Sequence, residues 1–312
     1  MRDHFIKRLH EIAVRDPRIV LITGDLGFGV FNQFRKEIGH QFINAGVSEQ
    51  NMTMLATGMA MEGRIAFTYS IGNFPTLRCL EMIRNDAAYH DANVKVVSIG
   101  AGFSYGALGI SHHATEDLAI MRSLPEVKVL SPCTLWETME ATEAVVNTPG
   151  TCYLRLDKSS GEEDFSQNVP FQLGKLRVLR DGNVAVIVTG GILSEVQKAA
   201  KLLTNEGIEL KIISCHTIRP FDVDGLIDTT KDSCAVVSVE EHTIFGGLGS
   251  IIAETFMDNA VIPNRFLRIG LEAGFSSIVG SQEYLRTRYG LDSNSIASKI
   301  RDLMNRKSLR EI

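Results

Sequence analysis

The segment RIVLIT, residues 18–23, decides the fold class, because it is short, apolar almost throughout and rich in β-branched side chains. A continuous apolar run of this kind predicts a strand that is buried on both faces of a sheet. The same pattern recurs in Val94–Ile99, Val127–Leu130, Cys152–Leu156, Val184–Val188, Leu210–Ile213 and Ala235–Val239. Helical patterns lie between these runs, so the sequence predicts an α/β fold with mostly parallel sheets covered by helices.

A polar stretch separates two regions that both carry this pattern. KSSGEEDFSQN, residues 158–168, is charged and has no hydrophobic period, which is typical of a linker. We therefore expect two doubly wound domains, residues 1–157 and 184–312, joined by a linker over residues 158–183.

The segment 50–62 is expected to be a helix with Ser48 as its N-cap. One side of this helix is expected to carry Met52, Leu55, Met59 and Ala60.

Composition and charge disfavour several classes of function. The 312-residue chain has a formal net charge of −5, which argues against binding to nucleic acid or to an anionic membrane surface. No apolar run reaches the about 20 residues that span a bilayer, and the polar start MRDH is unlike a secretory signal. The five scattered cysteines form no C-x-x-C pair, which predicts reduced thiols in a cytoplasmic protein and no metal site.

The common motifs of nucleotide-binding and hydrolytic enzymes are absent from the sequence. Neither G-x-G-x-x-G after a strand nor G-x-x-x-x-G-K-[ST] occurs, and G-x-S-x-G and H-E-x-x-H are missing as well. Gly246–Gly249 (GGLG) precedes a helical pattern, where tight helix packing explains the glycines better than phosphate binding does. A Rossmann dehydrogenase and a P-loop enzyme are therefore disfavoured.

Three segments of the first region carry candidate functional residues: GVSEQNM (46–52), YSIGNFP (69–75) and GISHHATED (109–117). Each has an ordinary explanation when taken alone. Glu49 is an acid in the first turn of a helix, which the helix dipole favours, and a loop aromatic such as Phe74 is more often part of a core. The adjacent His112 and His113 are a stronger signal, because glycine-rich loops between strands and helices often carry function.

Together, in this order, the three segments resemble the pyrimidine-binding domain of the transketolase family. In that family a G-V-x-E segment opens a helix, an aromatic residue follows, and a G-x-T-H-type loop comes later; Glu49, Phe74 and His112 match these positions. The resemblance continues through the segments 124–125 (LP) and 131–133 (SPC). It extends to the C-terminal domain of the family through the segments 219–222 (RPFD) and 240–249, so it covers nearly the whole chain.

The resemblance implies that the cofactor is thiamine diphosphate. Glu49 would then act on the ring nitrogen N1′ as an acid–base partner, and Phe74 would stack on the pyrimidine ring. Asp25 and Tyr69 are expected to be further cofactor contacts. His112 is expected to line the substrate channel and to take part in proton transfers, which makes Glu49 and His112 the candidate catalytic residues.

The diphosphate-binding half of such an enzyme is missing from the sequence. Family members bind the diphosphate and Mg²⁺ through a G-D-G segment and a later asparagine, and neither GDL (24–26) nor DGN (181–183) fits that pattern. We therefore expect a separate N-terminal subunit to supply these ligands in an α2β2 assembly. The chain would be the C-terminal subunit of a split transketolase, which transfers a two-carbon ketol unit from a ketose to an aldehyde acceptor.

Substrate contacts are implied for Arg2, which matches a phosphate-binding arginine of the family, and for His112, His113, Arg155 and Lys158. Four positions depart from the family pattern: Gly29, Gly100, Leu108 and Asp157. Each lost charge-assisted hydrogen bond costs about 1.5–3 kcal/mol. We therefore expect ribose 5-phosphate to be a poor acceptor and a less phosphorylated or deoxygenated aldehyde to be a better one.

Three alternatives stay open on the sequence. The β subunit of a 2-oxoacid dehydrogenase has the same pair of domains, and a 1-deoxyxylulose-phosphate synthase shares the family pattern. A subunit without catalytic activity could also keep the fold, although Glu49 in its expected place disfavours this.

Overall fold

Two sheets with mostly parallel strands organise the chain. The computed structural model describes residues 1–27, 29–162, 170–272 and 274–309. The strands are β1 (Ile19–Thr23), β2 (Phe42–Asn44), β3 (Ile65–Ile71), β4 (Val94–Ile99), β5 (Lys128–Leu130), β6 (Cys152–Leu156), β7 (Arg177–Arg180), β8 (Val184–Thr189), β9 (Leu210–Ser214), β10 (Thr217–Arg219), β11 (Ala235–Thr243) and β12 (Phe266–Leu271).

Helices cover these sheets. They are α1 (Arg2–Ala13), α2 (Asn32–Ile38), α3 (Glu49–Met61), α4 (Leu80–Met82), α5 (Asp117–Ser123), α6 (Leu135–Asn147), α7 (Leu193–Thr204), α8 (Val223–Thr230), α9 (Leu248–Asp258), α10 (Gln282–Arg288) and α11 (Ser293–Met304). Single 3₁₀ turns occupy Gly39–Gln41, Leu77–Cys79, Gly106–Leu108 and Ile110–His112, and a π-helical segment spans Ile83–Ala88. The α/β fold with two mostly parallel sheets is the one that the sequence predicts.

The first sheet has seven strands in the order β10-β5-β6-β4-β3-β1-β2, and the second has five in the order β12-β11-β8-β9-β7. All neighbours pair in parallel except β10 with β5 and β7 with β9. Strand β7 lies inside the stretch 158–183 that was expected to be a linker, and it forms an edge of the second sheet. Strand β10 belongs to the second half of the chain by sequence but pairs with the first sheet, so the two halves share a sheet edge.

Helix α3 differs from the sequence pattern in which of its sides is buried. Met52, Thr53, Ala56 and Thr57 face the core, whereas Leu55 is exposed. The two threonines can be buried because their hydroxyls donate hydrogen bonds to backbone carbonyls one turn earlier. The prediction that Leu55 lies on the core side of the helix was therefore wrong. The pattern counts threonine as polar and cannot anticipate that its hydroxyl forms a hydrogen bond within the helix.

The carboxyl ends of the parallel strands position the candidate site. Strands β1, β3, β4 and β6 are parallel neighbours, so their following loops leave the sheet at the same edge. Open α/β sheets bind ligands outside this edge. The loops after these four strands begin at Gly24, Gly72, Gly100 and Asp157.

Candidate active site

Glu49 occupies the start of α3 with its carboxylate almost fully buried. The residue is 4% exposed, and its Oε2 accepts a hydrogen bond from Nη1 of Arg78 over 2.7 Å. The side chain packs against Gly24 at the end of β1, where a Cβ would lie 3.4 Å from Cγ of Glu49. A Cβ at position 24 would therefore make an ordinary van der Waals contact with the Glu49 side chain.

Arg78 connects the Glu49 carboxylate to Phe74, and Phe74 in turn contacts His112. The guanidinium carbon of Arg78 is 4.7 Å from the centre of the Phe74 ring, and the rings of Phe74 and His112 meet edge to face with centres 5.0 Å apart. Asn73 ties the two loops together by donating from Nδ2 to the carbonyl of His113 over 2.8 Å. The structure thus brings together the three residues on which the sequence argument depends.

The two adjacent histidines have different environments. His112 is half-buried, and its Nδ1 lies 3.0 Å from Oγ of Ser111. Burial and the neighbouring His113 lower the pKa of His112 below its ordinary value of 6.5. His113 is buried, donates from Nε2 to the carbonyl of Gly106 and packs edge to face on Phe103. Only His112 adjoins the Phe74 ring.

Asp25 lies in the loop after β1, fixed by Asn44 at the end of β2. Its backbone N–H donates to Oδ1 of Asn44 over 3.1 Å, and Nδ2 of Asn44 donates to its carboxylate over 2.8 Å. Asp25 is exposed and has a positive φ of 57°. Asn44 therefore holds the Asp25 carboxylate at the edge of the sheet where helix α3 begins with Glu49.

Tyr69 lies on the other face of the sheet from Glu49. Side chains alternate along a strand, and Tyr69 on β3 points into an aromatic cluster with Phe5, 6.0 Å away, and Phe31, 5.1 Å away. Burial raises the pKa of Tyr69. The structure does not bring Tyr69 together with Glu49 and Phe74, and its contacts are those of a packing residue.

Arg2 and Lys158 line a common cavity of about 330 Å³ at the same edge of the sheet. Nζ of Lys158 lies 3.7 Å from the centre of the Tyr105 ring, while Arg2 donates from Nε to Asp3 over 2.8 Å. Burial and the nearby charge of Arg2 lower the pKa of Lys158. The centres of the Tyr105 and His112 rings are 6.4 Å apart, so this cavity lies beside His112.

Arg155 lies outside this cavity, contrary to the expectation that it contacts substrate. It is 1% exposed, and its Nε donates to the carboxylate of Asp117 over 2.8 Å. Its Nη2 donates to the carbonyls of Ala114 and Glu241, which lie in different halves of the chain. These contacts make Arg155 a buried link between the two halves, because a substrate phosphate could reach it only by breaking the ion pair with Asp117.

The positions that depart from the family pattern also find structural explanations. A Cβ at Gly100, which has a φ of +104°, would clash with the ring of Tyr105, so Tyr105 fills the space where a larger side chain would stand. The carboxylate of Asp157 is buried and accepts hydrogen bonds from Ser104, Ser159 and Gln282. Leu108 is exposed.

Sequence reasoning missed Arg78 and Tyr105. Arg78 lies 29 positions from Glu49, and nothing in the pattern LRCLEMIR (77–84) distinguishes it from the second arginine of that run. Tyr105 stands in the glycine-rich segment before the two histidines, but its partner Lys158 falls in the stretch interpreted as linker. Only the tertiary fold brings these pairs together.

In the part of the chain that the structure describes, no three or more His, Cys, Asp or Glu side chains group in a way that could hold a metal ion. None of the helices in the same residues combines the length and the apolar character required to cross a lipid bilayer.

Comparison with known proteins identifies both halves of the chain. Residues 1–163 match the family model of the transketolase pyrimidine-binding domain, and residues 174–296 match that of the transketolase C-terminal domain. The chain is 35% identical to a putative transketolase C-terminal section of Methanocaldococcus jannaschii, covering 98% of this chain and 97% of that protein. It is 31% identical to an apulose-4-phosphate transketolase subunit of Phocaeicola vulgatus, covering 95% and 94%. A solved structure described as a split gene transketolase, inactive beta4 tetramer, superposes with a TM-score of 0.86 at 31% identity over 98% of both chains.

Proposed function

Since the chain belongs to the transketolase family, we propose that it is the C-terminal subunit of a split thiamine-diphosphate-dependent transketolase. It transfers a two-carbon ketol unit from a ketose to an aldehyde acceptor, together with a separate subunit that binds the diphosphate and Mg²⁺. Residues 1–157 form the pyrimidine-binding domain. The C-terminal domain, which the sequence predicts over residues 184–312, also includes β7 (Arg177–Arg180), because this strand is an edge of its sheet. The convergence of Glu49, Phe74 and His112 at one sheet edge is the observation that supports this proposal most directly.

The residues at this edge fit the aminopyrimidine end of the cofactor. Oε2 of Glu49 is paired with Arg78, and Oε1 has no hydrogen-bond partner among residues 1–27, 29–162, 170–272 and 274–309. One carboxylate oxygen is therefore free to meet the ring nitrogen. Phe74 is half-buried, so part of its ring is available for stacking, and the carboxylate of Asp25 lies in the adjoining loop.

Each residue then has a distinct part in the reaction. When bound, thiamine diphosphate supplies the carbon nucleophile that takes up the ketol unit, while the protein binds and orients it. Glu49 holds a proton at N1′, and Phe74 fixes the plane of the ring. His112 has a lowered pKa, so it is neutral at pH 7 and can accept a proton from a substrate hydroxyl.

An exposed apolar face on α3 supports the need for a partner. Met54, Leu55 and Met61 are exposed on this helix, and Gly58 between them has open space where a Cβ would stand. Glycine in a helix interior costs about 1 kcal/mol relative to alanine, which a close helix–helix contact could offset. An exposed apolar face on the helix that Glu49 begins is the kind of surface that another protein covers, and we propose the diphosphate-binding subunit as its occupant, in an α2β2 assembly.

The cavity beside His112 also contains an acidic side chain, Asp3, which already accepts a hydrogen bond from Arg2. Arg2 and Lys158 offer two cations there, whereas Arg155 is committed to Asp117. We propose that aldehyde acceptors with less phosphate or fewer hydroxyls than ribose 5-phosphate serve better.

All five cysteines are unpaired thiols, which supports a cytoplasmic location.

Reconstitution tests the function. The chain is purified alone and together with a diphosphate-binding subunit, and thiamine diphosphate binding is measured by calorimetry with Mg²⁺ present. Only the pair should bind the cofactor tightly and transfer ketol units to an aldehyde. Micromolar or tighter binding by the chain alone would contradict the need for a partner. Acyl transfer from pyruvate to lipoamide by the pair, without ketol transfer, would assign it to the 2-oxoacid dehydrogenases instead.

A further inference from the structure

Arg78 joins the two residues that are assigned to the cofactor. Its Nη1 donates to Oε2 of Glu49 over 2.7 Å, and its guanidinium carbon stands 4.7 Å from the centre of the Phe74 ring. Its own backbone N–H donates to the carbonyl of Asn73 over 3.2 Å. The arginine is therefore anchored to the loop that carries Phe74, and its charged end reaches the helix that carries Glu49.

The exposures of the two partners are unequal, which separates this ion pair from an ordinary surface pair. The side chain of Arg78 is 47% exposed, whereas that of Glu49 is 4% exposed. Exposed ion pairs contribute little, because water already solvates both charges. A buried carboxylate lacks that solvation, so it either takes up a proton or requires a cation beside it. Arg78 is the cation that meets Glu49.

We propose that Arg78 is a positioning residue that holds the buried carboxylate of Glu49 in place for the aminopyrimidine ring, a role that rests on the proposed function. Arg78 occupies Oε2 and leaves Oε1 for the ring nitrogen N1′. A carboxylate fixed in this way can stabilise a proton on N1′. The planar guanidinium also fixes the orientation of the Glu49 carboxylate, because it is held over the Phe74 ring as well as against that carboxylate.

The first experiment tests the ion pair in the chain without its partner. Thermal unfolding is compared for the wild type, Arg78→Met, Glu49→Gln and the double variant at pH 7. Arg78→Met should lower the unfolding temperature, because it leaves a buried carboxylate without a cation, and the same substitution should lower it less in the Glu49→Gln background. Additive effects of the two substitutions would show that the pair is not coupled, and the proposal would be overturned.

The second experiment tests positioning in the reconstituted pair of subunits. Thiamine diphosphate affinity and hydrogen–deuterium exchange at C2 of the bound cofactor are measured for Arg78→Met and Arg78→Lys. Arg84→Met is the matched control, since Arg84 lies on the same segment, is exposed and contacts Asn85 instead of Glu49. Arg78→Met should weaken binding about tenfold or more, the scale of a lost charge-assisted hydrogen bond, and should slow the exchange at saturating cofactor. Arg78→Lys should recover part of both losses, and Arg84→Met should change neither.

The outcomes separate this proposal from the proposed function. If the wild-type pair binds no cofactor and transfers no ketol unit, the proposed function fails, whatever the unfolding experiment gives. If the wild-type pair is active and Arg78→Met binds the cofactor as tightly as the wild type or more tightly, Arg78 is either a surface charge or an obstacle to binding. Either result would overturn the positioning role while leaving the function of the chain intact.

Discussion

Replacement of Glu49 by glutamine is the sharpest test of the assigned chemistry, because it changes charge and proton affinity while keeping the shape of the side chain. In the structure, the variant would lose the charge on an oxygen that lies 2.7 Å from Arg78. A hydrogen bond to a charged group is worth about 1.5–3 kcal/mol, which bounds the expected loss of stability. The amide oxygen can still accept from Arg78, so the actual loss should lie at or below the lower end of that range.

The effect on turnover should be much larger than the effect on stability. An amide cannot exchange a proton with N1′ as a carboxyl group does, and loss of an acid–base group lowers a rate by about 10²-fold or more. The assay is ketol transfer by the reconstituted pair at saturating thiamine diphosphate, with thermal unfolding measured on the same preparations. Glu62→Gln is the control, because Glu62 ends the same helix and is exposed. Near-wild-type turnover of Glu49→Gln with cofactor bound would refute the catalytic assignment and leave Glu49 as a charge at a helix start.

Three further substitutions test the substrate cavity, the apolar face and the buried arginine, and a pH profile tests His112. Lys158→Met should raise the KM of anionic acceptors about tenfold and leave the KM of glycolaldehyde, which has no anionic end, unchanged. For the wild type, the proposed acceptor preference would be contradicted if ribose 5-phosphate gave the highest kcat/KM of an aldehyde panel. Leu55→Arg on the exposed face of α3 should weaken assembly with the diphosphate-binding subunit in analytical ultracentrifugation without unfolding the chain, and unchanged assembly would remove this face from the interface. Arg155→Met should destabilise the chain by about 3–5 kcal/mol in urea unfolding, since it leaves the Asp117 carboxylate buried without its cation; an intact stability with a raised KM would restore Arg155 to the substrate site. Because the pKa of His112 is lowered from 6.5, its imidazole should take up a proton only as the pH falls below 6.5. The loss of kcat/KM that this protonation causes should therefore occur below pH 6.5, and it should be absent in His112→Gln.

The sequence predicts the strands well because their signal is local. The runs at 18–23, 94–99 and 152–156 coincide with β1, β4 and β6 within one residue, since strands buried on both faces are predominantly apolar. The pattern was less informative for β7 and β10. Each is an edge strand of three or four residues that pairs antiparallel, and such short segments carry too little periodicity to predict their sheet.

The candidate site was predictable only where single residues define it. The resemblance to the transketolase family grouped Glu49, Phe74 and His112, and the structure brings them together at one sheet edge. The environment of each residue was not predictable in the same way. Arg155 and Lys158 are close in sequence, yet one is buried against Asp117 and the other faces the cavity with Arg2. Strand β6 includes Arg155 but ends at Leu156, before Lys158, and the sequence alone does not establish where that strand ends.

In the proposed split enzyme, this chain must fold before a partner subunit completes the active site. Glu49 is buried in the chain alone, and an uncompensated buried carboxylate would oppose folding at neutral pH. Pairing with Arg78 removes that conflict, because the cation is supplied by a loop of the same chain and not by the cofactor or the partner. The exposed side chain of Arg78 can keep this contact while Oε1 stays open. On this reasoning, the same ion pair should stabilise the isolated subunit and hold the carboxylate in the place that we propose for it in the assembled enzyme.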